Sequence, residues 1–310
     1  MATNGNGLRV GYGDYTYEHV PGWGKLPDGW EWNHAVGVGV DAQDRVFVYN
    51  RSDHPMIVLD KDGNVIDHWG EGHFGSAHHL TVGPDGSVYT TDVGDHTVRK
   101  WSAEGELLMT LGTPNEPAEA MSGEPFNRPT DIEVANDGTL YIADGYGNAR
   151  IHHYTASGEL LNSWGEPGEG PGQFRIPHSV CQDNTGQIYV ADRENSRIQI
   201  FRPDGQYVTE WGGVHRPDHI WQGPDGNMYV TDLGFYLGLG ADQPTPNAIS
   251  HPAGVKIMTP TGQWVGGWGM STDTPGDIIA GHAIAIDSEG SLYVGETLDG
   301  AKVQKFVRVE

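Results

Sequence analysis

Six segments of this chain share one internal spacing, which restricts the fold to a set of small repeated sheets. Each segment opens on a short apolar run, passes an Asp-Gly or similar turn, and continues as apolar-Tyr/Phe-apolar-x-Asp. The segments start at Val36, His78, Thr130, His178, Asp218 and His282, and each second run closes 14 residues later, at Asn50, Asp92, Asp144, Asp192, Asp232 and Glu296. Constant spacing within copies and variable spacing between them is what loops of unequal length between like sheets produce.

The first five copies continue through a third run to a fourth that ends in Trp-Gly or a close variant: Trp69-Gly70, Leu111-Gly112, Trp164-Gly165, Trp211-Gly212 and Trp268-Gly269. Alternation of apolar and polar residues, as in Arg197 to Phe201, makes each copy a four-stranded antiparallel meander. The sixth copy stops at Glu310 after three strands, and residues 15–24 at the other end of the chain carry the missing Trp-Gly signature. Such a ring closes when the N-terminal strand completes the blade formed by 282–310, leaving no blade open. The expectation is an all-β, six-bladed β-propeller, with residues 1–310 as a single domain.

The 46 glycines suit a fold with many turns. With 18 Lys plus Arg against 42 Asp plus Glu, the net charge is −24, and no basic cluster stands out, so neither nucleic acid nor an anionic membrane is expected as a partner. Cys181 is the sole cysteine, which excludes an intrachain disulfide. No run approaches a membrane span, and the N-terminal residues lack the basic-then-apolar order of a leader, so a cytoplasmic location is expected.

In a propeller the first strand of each blade lines the channel, and all six run the same way. The start positions therefore form a ring reading Val36, His78, Thr130, His178, Asp218, His282. Histidine falls on every second blade, about 120° apart by the symmetry of the array. With only 15 histidines in 310 residues, chance placement on alternate blades is rare. Three neutral imidazoles with a free position suit Zn²⁺ or another first-row divalent ion. His79 and His219, one residue further on, should point away from the axis by strand alternation. The second strand returns antiparallel to the same face, so the loop after it brings Arg51, Tyr146 and Arg193 to the ring. The insertion after Asp232 adds Phe235, Tyr236 and His251, which suggest a lid or substrate contact. Guanidiniums and a phenol beside a metal fit a small anionic substrate with a group to deprotonate.

With these residues in view, the chain resembles the NHL-repeat propellers and, more narrowly, the peptidyl-α-hydroxyglycine α-amidating lyases. The likeness is densest at Pro177-His178-Ser179, residues 191–199, Asp144-Gly145-Tyr146 and residues 78–81. It implies zinc on His78, His178 and His282, Tyr146 as the base, and Arg51 and Arg193 around the substrate. It also implies a structural calcium held by the carbonyls of Val38 and Leu80 and by an Asp directly after the third histidine, a position that Ala283 occupies here.

The function expected is a zinc-dependent lyase that cleaves an α-hydroxy or carbinolamide-type substrate bearing a carboxylate into a carbonyl product and an amide or other leaving group. A metal-dependent hydrolase or hydratase using the same site, and a non-catalytic recognition propeller, are the alternatives. Oligomeric state is open.

Overall fold

The structure is a computed structural model that describes residues 8–234, 253–269, 276–298 and 300–309. It is a six-bladed β-propeller. The first strands are Ala35–Val40, Ala77–Val82, Asp131–Val134, Pro177–Gln182, Pro217–Gln222 and Gly281–Ile286, and each touches the next in a closed ring. The second strands pair with them antiparallel and end at Asn50, Asp92, Asp144, Asp192, Asp232 and Glu296, the positions expected from the spacing.

Burial follows strand order. Second strands such as Val46–Asn50 and Ile188–Asp192 are buried throughout, because each sheet is sandwiched between two others. Outermost strands such as Leu107–Leu111 are largely exposed. The Tyr/Phe of the repeat becomes Phe47, Tyr89, Tyr141, Tyr189, Tyr229 and Tyr293, none more than 3% exposed. Each packs within one of six apolar clusters that fill the blade interfaces; in one, Val48 and Ile57 of blade 1 meet Ala283, Tyr293 and Val303 of blade 6. Burying one such ring contributes about 1.5–3 kcal/mol, so six repeats of it form the main apolar framework of the ring.

Residues 15–24 close the last blade, with the strand proper confined to Tyr15–His19, where Tyr17 pairs with Arg308 and His19 with Phe306. Arg9–Tyr12 adds a fifth strand outside it that the repeat did not foretell. Trp23 lies beyond the strand and still does what its counterparts do. Its indole N–H donates to the Lys61 carbonyl at 3.0 Å, as Trp69 donates to Ala103 at 3.2 Å. Each of these rings covers the turn of the next blade.

That contact fixes a glycine. Gly105 has φ +86°, and a Cβ there would sit 2.6 Å from Trp69 Cγ. Gly105→Ala therefore combines a left-handed backbone with a clash against a rigid ring and should destabilise the protein by about 2–3 kcal/mol in urea unfolding. An unchanged midpoint would show that the latch between blades is slack.

The acids that close the second strands cap the loops leading into their own blades. Asp92 accepts from the Gly75 and Ser76 amides, Asp192 from Arg175, Asp232 from His215, and Glu296 from Ile279 and Ala280. These bonds tether the loops at the face where the histidine ring opens.

Candidate active site

The three ring histidines converge. Their centroids are 4.8 Å apart for His78 and His178, and 5.0 Å from each of these to His282. All three are buried. In each, Nδ1 meets a carbonyl from the next ring position: Thr130 at 2.6 Å from His78, Asp218 at 2.7 Å from His178, and Val36 at 2.7 Å from His282. A carbonyl can only accept, so Nδ1 carries the proton and Nε2 keeps its lone pair. The three intervening positions of the ring therefore orient the other three.

Burial pushes all three imidazoles well below their usual pKa, and Arg51 beside His78, Arg193 beside His178 and His78 beside His282 act in the same direction. They are neutral near pH 7, the form that ligates a metal.

Tyr146 stands over this group, its hydroxyl 3.1 Å from Nε2 of His78 and 3.1 Å from Nε2 of His178. It is placed by Gly145: a Cβ there would lie 2.3 Å from the carbonyl oxygen of Pro177, so only glycine lets this loop press against the strand that carries His178. One hydroxyl proton cannot satisfy two lone pairs at once. The donor set of three imidazoles, with one donor atom from each within 4.8 Å of the others, suits a small divalent ion such as Zn²⁺.

Arg193 comes from the short 3-10 turn Arg193–Asn195, anchored by its own amide on the Ile176 carbonyl at 3.0 Å. Its Nη1 donates to Tyr146 at 3.2 Å and to Asp218 at 3.3 Å, and its Nε donates to Glu194 at 2.9 Å. Arg51 donates from Nε to the Ala77 carbonyl at 2.9 Å, just before His78. It also lines a cavity of about 280 Å³ between the 51–55 loop and the connection from blade 1 to blade 2. The expected catalytic and metal-ligating residues thus meet at one end of the channel.

Residues 126–154 and 174–201 match the family model for the NHL repeat. Across its length the chain is similar to human NHL repeat-containing protein 3, at 30% identity over 92% of this chain and 82% of that protein. The chain belongs to the NHL-repeat family. It is also 30% identical to peptidyl-α-hydroxyglycine α-amidating lyase 1 of Drosophila melanogaster over 79% of this chain, which spans 47% of that relative. Among solved structures, a gluconolactonase from Xanthomonas campestris has the same fold, with a TM-score of 0.65 at 13% identity over 98% of this chain and 95% of that one.

Within this NHL propeller, His79 and His219 depart from expectation. Instead of pointing away from the axis, their rings face each other at 4.3 Å, and His79 Nε2 lies 3.2 Å from Asp131. The cause is a bulge: Ala77 pairs with Asp92 and His79 with Thr91, which leaves His78 as the extra residue. The slip recurs at His178, Asp218 and His282. A bulge cancels one step of the pleat, so two successive side chains face the same side.

That layer does not fit a calcium of the form the resemblance implies. Ala283 has no side-chain oxygen, imidazoles fill the channel beside the strands of Val38 and Leu80, and His219 Nδ1 accepts the Ile284 amide at 3.1 Å. Calcium wants about six to eight oxygens. Phe235, Tyr236 and His251 lie outside the described residues.

Arg128 escaped the sequence pattern, and Asp218, one of the six ring positions, has a contact that the pattern did not foretell. Arg128 sits 5.0 Å from the Tyr146 ring, which Arg193 approaches at 5.4 Å, so two guanidiniums stand close to the phenol. Its one sequence signal is its place two residues before Thr130. Asp218 holds Arg193, and burial raises its carboxyl to about 7 even though Arg193 opposes the shift.

Proposed function

We propose that this propeller is a divalent-metal-dependent lyase acting on a carbinolamide-type α-hydroxy substrate that carries a carboxylate. The observation that carries the reading is the Tyr146 hydroxyl, 3.1 Å from two imidazoles of a three-histidine donor set and 3.2 Å from Arg193. The similarity to an amidating lyase supports the same class of chemistry.

His78, His178 and His282 would hold the ion, zinc being the best match to three nitrogens. When bound, it supplies Lewis acidity toward the substrate hydroxyl. Tyr146, having first given up its own proton to solvent, would take that hydroxyl proton. The electron pair of the broken O–H bond forms the C=O, the C–N bond breaks, and the proton returns to the departing nitrogen, giving a carbonyl acid and an amide. Arg193 is a cation next to the oxygen of Tyr146 and, with Arg51, binds the substrate carboxylate. Asp218 keeps Arg193 in register. These cations make a local anion site within a chain of net charge −24. No helix among the described residues is long and apolar enough to cross a membrane. Its single cysteine is buried and needs no oxidising compartment, so a cytoplasmic location belongs to the proposal.

The test uses an N-acyl-α-hydroxyglycine with metal-replete protein in heavy-oxygen water. Equal amounts of the primary amide and glyoxylate should appear, with no solvent oxygen in the amide. A carboxylic acid carrying solvent oxygen, formed from the acyl group in place of the amide, would make the protein a hydrolase, and no product above the metal-free control would leave it a recognition propeller.

A further inference from the structure

Blade 1 carries a second group of nitrogen and oxygen donors, on the rim of the face where the channel opens. His54 belongs to the 51–55 loop that holds Arg51, His68 lies on the outer strand Val65–Trp69, and Glu71 follows that strand. Both imidazoles turn Nδ1 onto the same carboxylate oxygen: Glu71 Oε1 is 2.7 Å from His68 and 3.2 Å from His54. The two rings are nearly perpendicular, with centroids 5.4 Å apart. Trp30 fixes them from one side, stacked on His54 at 3.6 Å and edge-on to His68 at 4.9 Å. The three donor atoms all lie within 4.8 Å of one another.

We propose that His54, His68 and Glu71 form a second divalent transition-metal site that clamps the Arg51 loop to the outer edge of blade 1. A tetrahedral ion with bonds of about 2.1 Å needs donors about 3.4 Å apart; the 2.7 Å from Glu71 to His68 and the 3.2 Å from Glu71 to His54 both have to open slightly to admit it. Two imidazoles and one carboxylate favour Zn²⁺, Co²⁺, Ni²⁺ or Cu²⁺ over Ca²⁺ or Mg²⁺. Binding replaces the two Nδ1 protons that now point at the carboxylate. The side chains are 28%, 45% and 43% exposed, which leaves an open coordination position to water. The clamp has a structural consequence for the main site. Arg51, Ser52 and Pro55 form one wall of the 280 Å³ cavity and Gly70, Gly72 and Phe74 the other, so an ion joining His54 to Glu71 ties those walls together.

The site is independent of the three channel histidines, and the experiment separates the two. Metal-stripped full-length protein is titrated with Co²⁺ alone, read by calorimetry and by the visible ligand-field absorption of the bound ion. The His178→Ala variant should still bind one equivalent, and adding His68→Ala should weaken that binding by at least about tenfold. In the otherwise unchanged protein, His68→Ala should remove one equivalent without altering the circular dichroism spectrum, since His68 is surface-exposed. The proposal falls if Co²⁺ binding in the His178→Ala variant is absent or survives His68→Ala unchanged. It falls equally if Ca²⁺ competes with Co²⁺ there at equal concentration.

Discussion

On the proposed function, replacing His178 by Ala is expected to abolish metal binding in the channel and turnover with it. In that proposal each neutral imidazole would supply one of three protein bonds to the ion, and losing one would lower affinity by roughly two orders of magnitude or more. Purified variant, equilibrated with excess Zn²⁺ and passed through a desalting column, should retain less than about 0.2 equivalents at the channel site, with the blade 1 donors removed by His68→Ala in both proteins compared. The fold should persist, because the six apolar interfaces are untouched and only two hydrogen bonds are lost, from His178 to the Asp218 carbonyl and between His178 and the Tyr146 hydroxyl. A full channel equivalent in the variant would refute metal binding by the histidine ring.

Tyr146→Phe separates proton transfer from metal binding. The phenyl ring can keep its place near Arg128 and Arg193, and none of the three histidines loses its Nδ1 partner. Turnover should fall by about 10²–10⁴-fold with metal content and substrate KM nearly unchanged, the range expected when a general base is removed. Turnover at the unmodified rate would exclude Tyr146 as the base, and a parallel loss of metal would recast its hydroxyl as a ligand.

Much of the candidate site was legible because repeat spacing is a local property. A constant 14 residues between the ring position and the end of the second strand is enough to align His78, His178 and His282 and to bring Arg51, Tyr146 and Arg193 back beside them. His79 and His219 were misjudged because alternation assumes an unbroken pleat, and a bulge depends on how many residues the partner strand offers. Arg128 was missed because its loop has no periodicity. The group of His54, His68 and Glu71 was invisible for a related reason: a loop residue, an outer-strand residue and a residue past that strand share no repeat position. The fifth strand at Arg9–Tyr12 likewise falls outside the repeat.

The sequence by itself determined the number of blades, the closure by the N-terminal strand, and which residues stand at the head of each inner strand. These follow from period-two alternation and turn chemistry, which neighbouring residues impose on one another. Only the tertiary structure decided what those heads do together. The carbonyls that set the tautomers of His78, His178 and His282 come from residues 52, 40 and 246 positions away, on the next blade of the closed ring. The closeness of the three rings depends on how far apart the packed sheets hold their inner strands, and that distance is set by the interlocking of aromatic side chains between blades.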